Sequence, residues 1–230
     1  MPAHNAATFI RDTVESVLAQ EGVDLELLIG DDASTDDTRE RLRPYEADPR
    51  VRLVFGDDNR GAAATRNSLI RQARGKYITP CDADDLMLPG NLATQAEFLD
   101  RHADIGVVYG DILVVWLDAH GRITGPPEII GSDCNSGWDL RDNLVNHGGS
   151  MSRRELVRQV GGYDETVGSV DDWSLWLKMA EVTRFHYLQG EVLYVWRRHQ
   201  ASLTCVDPHR ARDIEKIIRA AAQRRMGKPS

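Results

Sequence analysis

Short apolar runs alternate with segments of helical periodicity along the first half of this chain, and two of those runs end directly in acidic clusters. Leu25 to Ile29 leads into Gly30-Asp31-Asp32, and Lys76 to Cys81 leads into Asp82-Ala83-Asp84-Asp85. Apolar runs of this length fit strands buried on both faces. Strands that alternate with helices imply a mostly parallel sheet covered on both sides. Ligands of such sheets bind outside the carboxyl ends of the strands, and both acidic clusters fall there.

Phe9, Ile10, Thr13, Val14, Val17 and Leu18 recur at helical spacing, with Thr8 ahead of them as the expected cap. Further helices are expected over about Asp36 to Tyr45, Gly61 to Ala73 and Asn91 to His102, and strands over Val51 to Phe55 and Gly106 to Leu117. The pattern then loosens. Asp118-Ala119-His120-Gly121 reads as a turn and Gly125-Pro126-Pro127 as a break. Trp138 to Val145, Arg153 to Val160 and Asp172 to Ala180 have helical periodicity, while Phe185 to Leu188 and Val192 to Trp196 are strand-like. Pro208 to Arg225 reads as an amphipathic helix. With 230 residues there is room for one core. The expected organisation is a single α/β domain over residues 1–206, with halves of about 1–117 and 118–206, followed by a basic helix over 207–230.

Charge narrows the partners. The chain carries 28 Lys and Arg against 36 Asp and Glu, a net −8, which argues against nucleic acid because phosphate neutralisation needs clustered cations. Seven of the basic residues and only three of the acidic ones lie between Asp207 and Ser230, leaving a net −12 before them. Such a basic helix reads either as docked on the domain with a solvated face or as a peripheral contact with anionic lipid. No apolar stretch approaches the roughly 20 residues of a membrane span and no signal-like segment opens the chain, so the expected location is the cytoplasm, with the inner membrane face as the alternative. Cys81, Cys134 and Cys205 stand far apart, which indicates neither a disulfide framework nor a zinc site.

Carboxylates crowded at strand ends repel one another, so a bound cation or sugar hydroxyls would account for them. Helix capping is the plainer reading, since Asp, Ser and Thr favour first turns. EF-hand loops are excluded: counted from Asp32 the required Gly and Glu are Asp37 and Arg43, and counted from Asp82 they are Met87 and Ala93. An Asp-x-Asp at a strand end suits Mg²⁺ or Mn²⁺, hard cations that keep coordination sites for phosphate oxygens. The expected ligand is therefore a diphosphate.

Four segments taken together resemble glycosyltransferase family 2, an inverting family of GT-A fold. They are Met1-Pro2-Ala3-His4-Asn5 through Gln20; Leu28 through Thr38; Asn59-Arg60-Gly61 with Ala64-Thr65-Arg66-Asn67 and then Gly75-Lys76-Tyr77-Ile78 into Asp82-Ala83-Asp84-Asp85; and Gly161-Gly162-Tyr163-Asp164-Glu165 with Asp171-Asp172-Trp173-Ser174-Leu175-Trp176-Leu177. The resemblance covers about residues 1–200. It implies a GT-A, Rossmann-like sheet flanked by helices, with a less regular acceptor-side half. It implies as well a nucleotide-diphosphate sugar donor, by preference a UDP-sugar, and a divalent cation, Mn²⁺ or Mg²⁺.

On the same resemblance, Asp32 would hydrogen-bond the nucleotide base, with the Pro2-Ala3-His4 loop along it and Arg66 nearby. Asp82, Ala83 and Asp84 would form the Asp-x-Asp, with Asp84 ligating the metal and Asp82 facing ribose and metal-bound water. Asp172 matches the general base and Asp171 its neighbour, where the family usually has Glu. His147 is a candidate contact to the donor sugar, with a structural histidine as the alternative. Arg197-Arg198-His199 resembles the segment that folds over the diphosphate, with His199 a further metal candidate. Trp173 and Trp176 read as core. The family's first strand normally precedes the Pro-Ala-His loop, whereas here Met1 alone does, so a gap is expected beside the nucleotide.

The acceptor would be a glycan, a lipid-linked molecule or a small molecule. The rival functions are a catalytically inactive nucleotide-sugar or carbohydrate-binding module of the same fold, and a sugar nucleotidyltransferase, which lacks its Gly-rich phosphate loop here.

Overall fold

The computed structural model describes residues 1–118, 120–133 and 142–226. Strands β1 (Pro2–Ala3), β2 (Leu27–Asp31) and β3 (Val51–Phe55) form a parallel sheet in that order. A second, mixed sheet has the order β4 (Tyr77–Ile78), β8, β6, β9, β5 (Leu86–Met87). In it β6 is Ile105–Trp116, β7 (Glu128–Ile130) pairs with β6, β8 is Ser150–Arg153 and β9 is Arg184–Arg198. Only β6 and β9 run parallel there; the other pairs are antiparallel. The α/β class is as the alternation implies, with parallel pairing concentrated in the first sheet and along β6 and β9.

Helices α1 (Ile10–Leu18), α2 (Thr38–Leu42), α3 (Ala62–Gln72) and α4 (Asn91–Arg101) belong to the first half; α5 (Arg154–Gln159), α6 (Asp171–Met179), α7 (Leu203–Val206) and α8 (Arg210–Met226) to the second. Helix α1 buries Ile10, Thr13, Val14 and Val17, one face at the 3.6-residue period. Thr8 does not cap it: the N-cap is Phe9, with no side-chain bond. The main core joins this face to Ile29, Leu42, Leu99 and Val108, all fully buried. A second cluster packs Trp176, Leu175 and Met179 of α6 against Val107 and Tyr109 of β6. Trp173 and Trp176 are 5% and 1% exposed, core as expected.

Several boundaries differ from the sequence expectation for a tertiary reason. Strand β2 runs on through Gly30 to Asp31, because both neighbouring strands pair with these residues, β1 through Pro2 and Ala3 and β3 through Val54 and Phe55. The two short strands expected around Gly190 are one strand, β9, which follows β6 through register shifts. Half of the helix expected over Trp138 to Val145 lies outside the described residues, and 142–145 are not helical. As for the gap beside the nucleotide, Pro2–Ala3 take the place next to the end of β2. Beyond them a cavity of about 250 Å³ lies between the flank of Leu25–Leu28 and residues 75–81. The amino group of Met1 reaches the carbonyl of Leu28 at 2.9 Å, and burial pushes its pKa down to about 6.

The tail is docked. Ile217 and Ala221 of α8 are buried against Val167, Val170, Trp173 and Leu177, with Ile214 and Ile218 packed beside them. The start of α8 is tied to the loop before α6, since Arg210 donates to the Ser169 carbonyl at 2.9 Å and the buried Asp213 accepts the Gly168 N–H at 3.1 Å. Among the described residues no helix is long and apolar enough to cross a membrane. Removing residues 207–230 should expose the outer side of α6 at about 1.5–3 kcal/mol per large apolar side chain. Calorimetry is then expected to show a melting temperature lower by about 10 °C; an unchanged value would mean that this face contributes nothing to stability.

Candidate functional site

The carboxyl ends of the first sheet, the Asp82–Asp85 turn and the start of α6 enclose one cleft of about 1020 Å³. Twelve of the residues singled out from the sequence border it: Pro2, Ala3, His4, Asp32, Arg66, Asp82, Ala83, Asp84, His147, Asp171, Asp172 and His199. Pro2–Ala3 are there because β1 ends at the cleft, and the Asp32 N–H donates to the Ala3 carbonyl at 2.8 Å. Nδ1 of His4 donates to the Asp32 carbonyl at 2.8 Å. Asn5 (φ 50°) and Ala33 (φ 58°) hold left-handed backbone beside this loop, and such strain gathers at ligand-binding turns. The Asp32 carboxylate accepts the N–H groups of Arg60 (2.9 Å) and Gly61 (2.7 Å). It thereby fixes the turn into α3, where Gly61 has φ 88° and little but glycine is tolerated.

Opposite lies the Asp-x-Asp. The Asp82 N–H donates to the Tyr194 hydroxyl at 3.0 Å, and the Ala83 carbonyl accepts Thr13 Oγ1 at 3.0 Å, so backbone bonds set the turn. Asp84 Oδ2 is 3.0 Å from His199 Nε2, and the His199 ring stacks on Phe9 with centroids 5.0 Å apart. Asp82 turns instead to Arg66, 2.6 Å away. Among the described residues no three His, Cys, Asp or Glu side chains gather round one point. A carboxylate with an imidazole beside it, open to the cleft, fits Mn²⁺ or Mg²⁺, which take one or two protein carboxylates and complete their shell with water and phosphate oxygens.

Asp85, behind this pair, is fully enclosed; burial and then the charges of Asp84 and Asp82 raise its pKa well above the carboxylate range. The segment expected over a diphosphate divides. Arg197 is 8% exposed and points inward, its Nη2 donating to Thr13 Oγ1 at 3.0 Å. Arg198 lies between the rings of Trp116 (4.1 Å) and Trp196 (4.6 Å). Only His199 of the three borders the cleft.

Asp171 and Asp172 occupy the first turn of α6, and their environments differ. Asp171 is buried, one oxygen accepting from Arg66 and the other the Asp172 N–H at 2.9 Å. Asp172 is half-buried; Oδ1 accepts the Trp173 N–H at 2.7 Å and Oδ2 accepts Asn143 Nδ2 at 3.1 Å. Burial, and then the charge of Asp171, push the Asp172 pKa up to about 6. That is near the operating range of a general base. His147 is held by the Tyr163 hydroxyl at 2.8 Å, and burial followed by the Arg66 charge drives its pKa down to about 3, so it is neutral. Asn143 escaped the sequence reading because it lies in the unpatterned half, and no spacing links it to Asp172.

Comparison with known proteins identifies the family and the fold. The sequence profile of Glycosyl transferase family 2 matches residues 1–161. The EpsE protein of Bacillus subtilis is 32% identical over 198 residues, covering 84% of this chain and 70% of EpsE. The chain spans only 22% and 39% of the length of two other bacterial relatives. Among solved structures, residues 1–349 of S. aureus TarS in complex with UDP-GlcNAc match with a TM-score of 0.77 at 19% identity, over 100% of this chain and 66% of that one. The mannosyltransferase PcManGT from Pyrobaculum calidifontis, in complex with GDP-Man and Mn²⁺, matches with a TM-score of 0.72 at 23% identity, over 100% and 64%. The fold is thus that of GT-A glycosyltransferases.

Proposed function

The chain belongs to glycosyl transferase family 2, and from that premise we propose that it moves a sugar from a nucleotide-diphosphate sugar to an acceptor hydroxyl with inversion at the anomeric carbon. The observation that carries this reading is that two kinds of carboxylate border one cleft, Asp84 beside His199 and Asp172 with a raised proton affinity. Asp82 and Asp84 are read as the donor side and Asp172 as the acceptor side. The nucleotide lies along Pro2-Ala3-His4 and Asp32. Asp84 and His199, with Asp82 beside them, would hold a divalent cation, which when bound neutralises charge on the leaving diphosphate.

Asp172 accepts the proton of the acceptor hydroxyl as its oxygen approaches the anomeric carbon from the face opposite the nucleotide. The bond to the leaving phosphate oxygen breaks as the new carbon–oxygen bond forms, through an oxocarbenium-like transition state. A single displacement of this kind inverts the centre. Asn143 orients Asp172, and neutral His147 borders the space for the donor sugar without adding charge. The likeness to TarS with UDP-GlcNAc supports a uridine donor; the likeness to PcManGT with GDP-Man keeps a guanosine donor as the second reading.

A thermal-shift series with UDP, GDP, CDP and ADP, each with and without Mn²⁺, tests the donor. A ligand at 100 times its Kd stabilises by about 2.7 kcal/mol, equivalent to about 5–10 °C for a chain of this size. UDP with Mn²⁺ is expected to give that shift. A shift with GDP alone would reassign the base, and none with any nucleotide would overturn the donor reading. Release of UDP from a UDP-sugar then separates an enzyme from an inactive binding module, which would bind without turnover.

A further inference from the structure

The resemblance places Arg66 near the nucleotide, yet in the structure its guanidinium is engaged by two protein carboxylates, one from the Asp82–Asp85 turn and one from α6. Nη2 donates to Asp82 Oδ1 at 2.6 Å and Nη1 donates to Asp171 Oδ2. The Arg66 side chain is 10% exposed and that of Asp171 8%. Tyr163 covers the guanidinium, 5.4 Å from ring centroid to its central carbon, and Nε is buried with no hydrogen-bond partner. A buried donor left unpaired is unfavourable, so the two carboxylates, and not a full set of hydrogen bonds, decide how this side chain lies. Asp171 passes the contact on, because its other oxygen accepts the Asp172 N–H at 2.9 Å. A continuous chain of charged and hydrogen-bonded groups therefore runs from Asp82 through Arg66 and Asp171 to the backbone of Asp172.

The neighbouring residue of α3 makes a second contact in the same direction. Asn67 Nδ2 donates to the Tyr163 carbonyl at 3.0 Å and to Glu165 Oε1 at 2.9 Å, and its Oδ1 accepts the Tyr163 N–H at 2.8 Å. Gly162, with φ 70°, lies so close that a Cβ there would sit 2.3 Å from Asn67 Oδ1. The loop leading to α6 thus fits against Asn67 at one distance. Helix α3 acts as a spacer between the halves of the molecule, with Asn67 holding the loop and Arg66 the helix that follows it.

We propose that Arg66 is a positioning residue: by pairing at once with Asp82 and Asp171, it fixes the first turn of α6 so that Asp172 meets the acceptor at a set place relative to the donor. This rests on the reading of Asp82 as donor-side and Asp172 as the base. The planar fork of a guanidinium suits the task because it meets two carboxylates at a fixed angle, whereas an ammonium offers one point charge. A misplacement of about 1 Å in a reacting group lowers rates by about 10²-fold, which sets the scale of the expected loss.

The test measures UDP release from UDP-GlcNAc and UDP affinity, both with Mn²⁺, for Arg66→Gln, Arg66→Lys, Asp171→Asn and the Arg66→Gln/Asp171→Asn pair. Arg66→Gln is expected to lose about 10- to 100-fold in turnover with UDP affinity within about threefold, and Arg66→Lys to recover part of the turnover. The double variant is expected to lose no more than about twofold beyond the worse single one, since residues acting through one contact are non-additive. Unchanged turnover in Arg66→Gln, an equal loss in affinity and turnover, or losses that multiply in the double variant would each overturn the proposal. If the unaltered protein releases no UDP, the function proposed above fails. The coupling is then read from thermal unfolding of the same four proteins without ligand, where a non-additive cycle supports the clasp and an additive one overturns it.

Discussion

Replacing Asp172 by Asn is expected to lower turnover by a factor of about 10² to 10⁴ while donor affinity stays nearly unchanged, the signature of losing a group that acts in the transition state. The substitution keeps the shape and the bond to the Trp173 N–H, so stability should change little. What is lost is a proton acceptor whose pKa burial and Asp171 have raised to about 6. The same shift sets the pH dependence. Below about 6 the Asp172 carboxyl is protonated and cannot accept, so turnover should fall about tenfold per pH unit on the acid side and level off above about 7.

Asp171→Asn should behave differently. Its carboxylate is turned to Arg66 and buried, so the variant should retain a functioning base. Because the Asp171 charge is one of the causes that raise the Asp172 pKa, the acid limb should also move to lower pH. If Asp171→Asn is the inactive variant and Asp172→Asn turns over normally, the two roles are exchanged.

Asp84→Asn is expected to abolish the effect of Mn²⁺ on UDP binding, with a loss of affinity of at least about 10- to 100-fold, since even outer-shell partners of metal ligands are worth that much. Asp84 faces the cleft with His199 at 3.0 Å, whereas Asp82 is drawn to Arg66; removing Asp84 therefore takes away the carboxylate best placed for a cation. His199→Ala should show the smaller loss, because a hard cation prefers oxygen to imidazole. Titration calorimetry of UDP with and without Mn²⁺ decides this. If the unaltered chain binds UDP more tightly with Mn²⁺ than without, as expected, and Asp84→Asn still does so, the metal assignment is wrong.

The sequence by itself determined which carboxylates come to the cleft and most of the helices, although the strand expected over Lys76 to Cys81 is only Tyr77–Ile78. Val51–Phe55 is predicted to the residue, and the carboxylates Asp32, Asp82, Asp84 and Asp172 all border the cleft. This was legible because a short, largely apolar run between turn signals marks a strand and a helix leaves a 3.6-residue period, so each element's end, and the polar residues just past it, can be read locally. The tail shows where that legibility stops: its period gives the helix, but docking on Trp173 and Leu177 depends on the shape of α6's outer face.

Only the tertiary structure decided which edges pair and which charges meet. Strand β9 is continuous because β6 lies alongside it, and Asp31 is a strand residue because Ala3 and Phe55 are its partners on either side. Asn143 reaches Asp172 from 29 residues away and Arg66 reaches Asp171 from 105. No local period records such contacts, since they follow from packing between elements brought together by the whole core. Two adjacent aspartates consequently differ in surroundings, Asp171 anchored to a buried arginine and Asp172 held by Asn143 at the cleft.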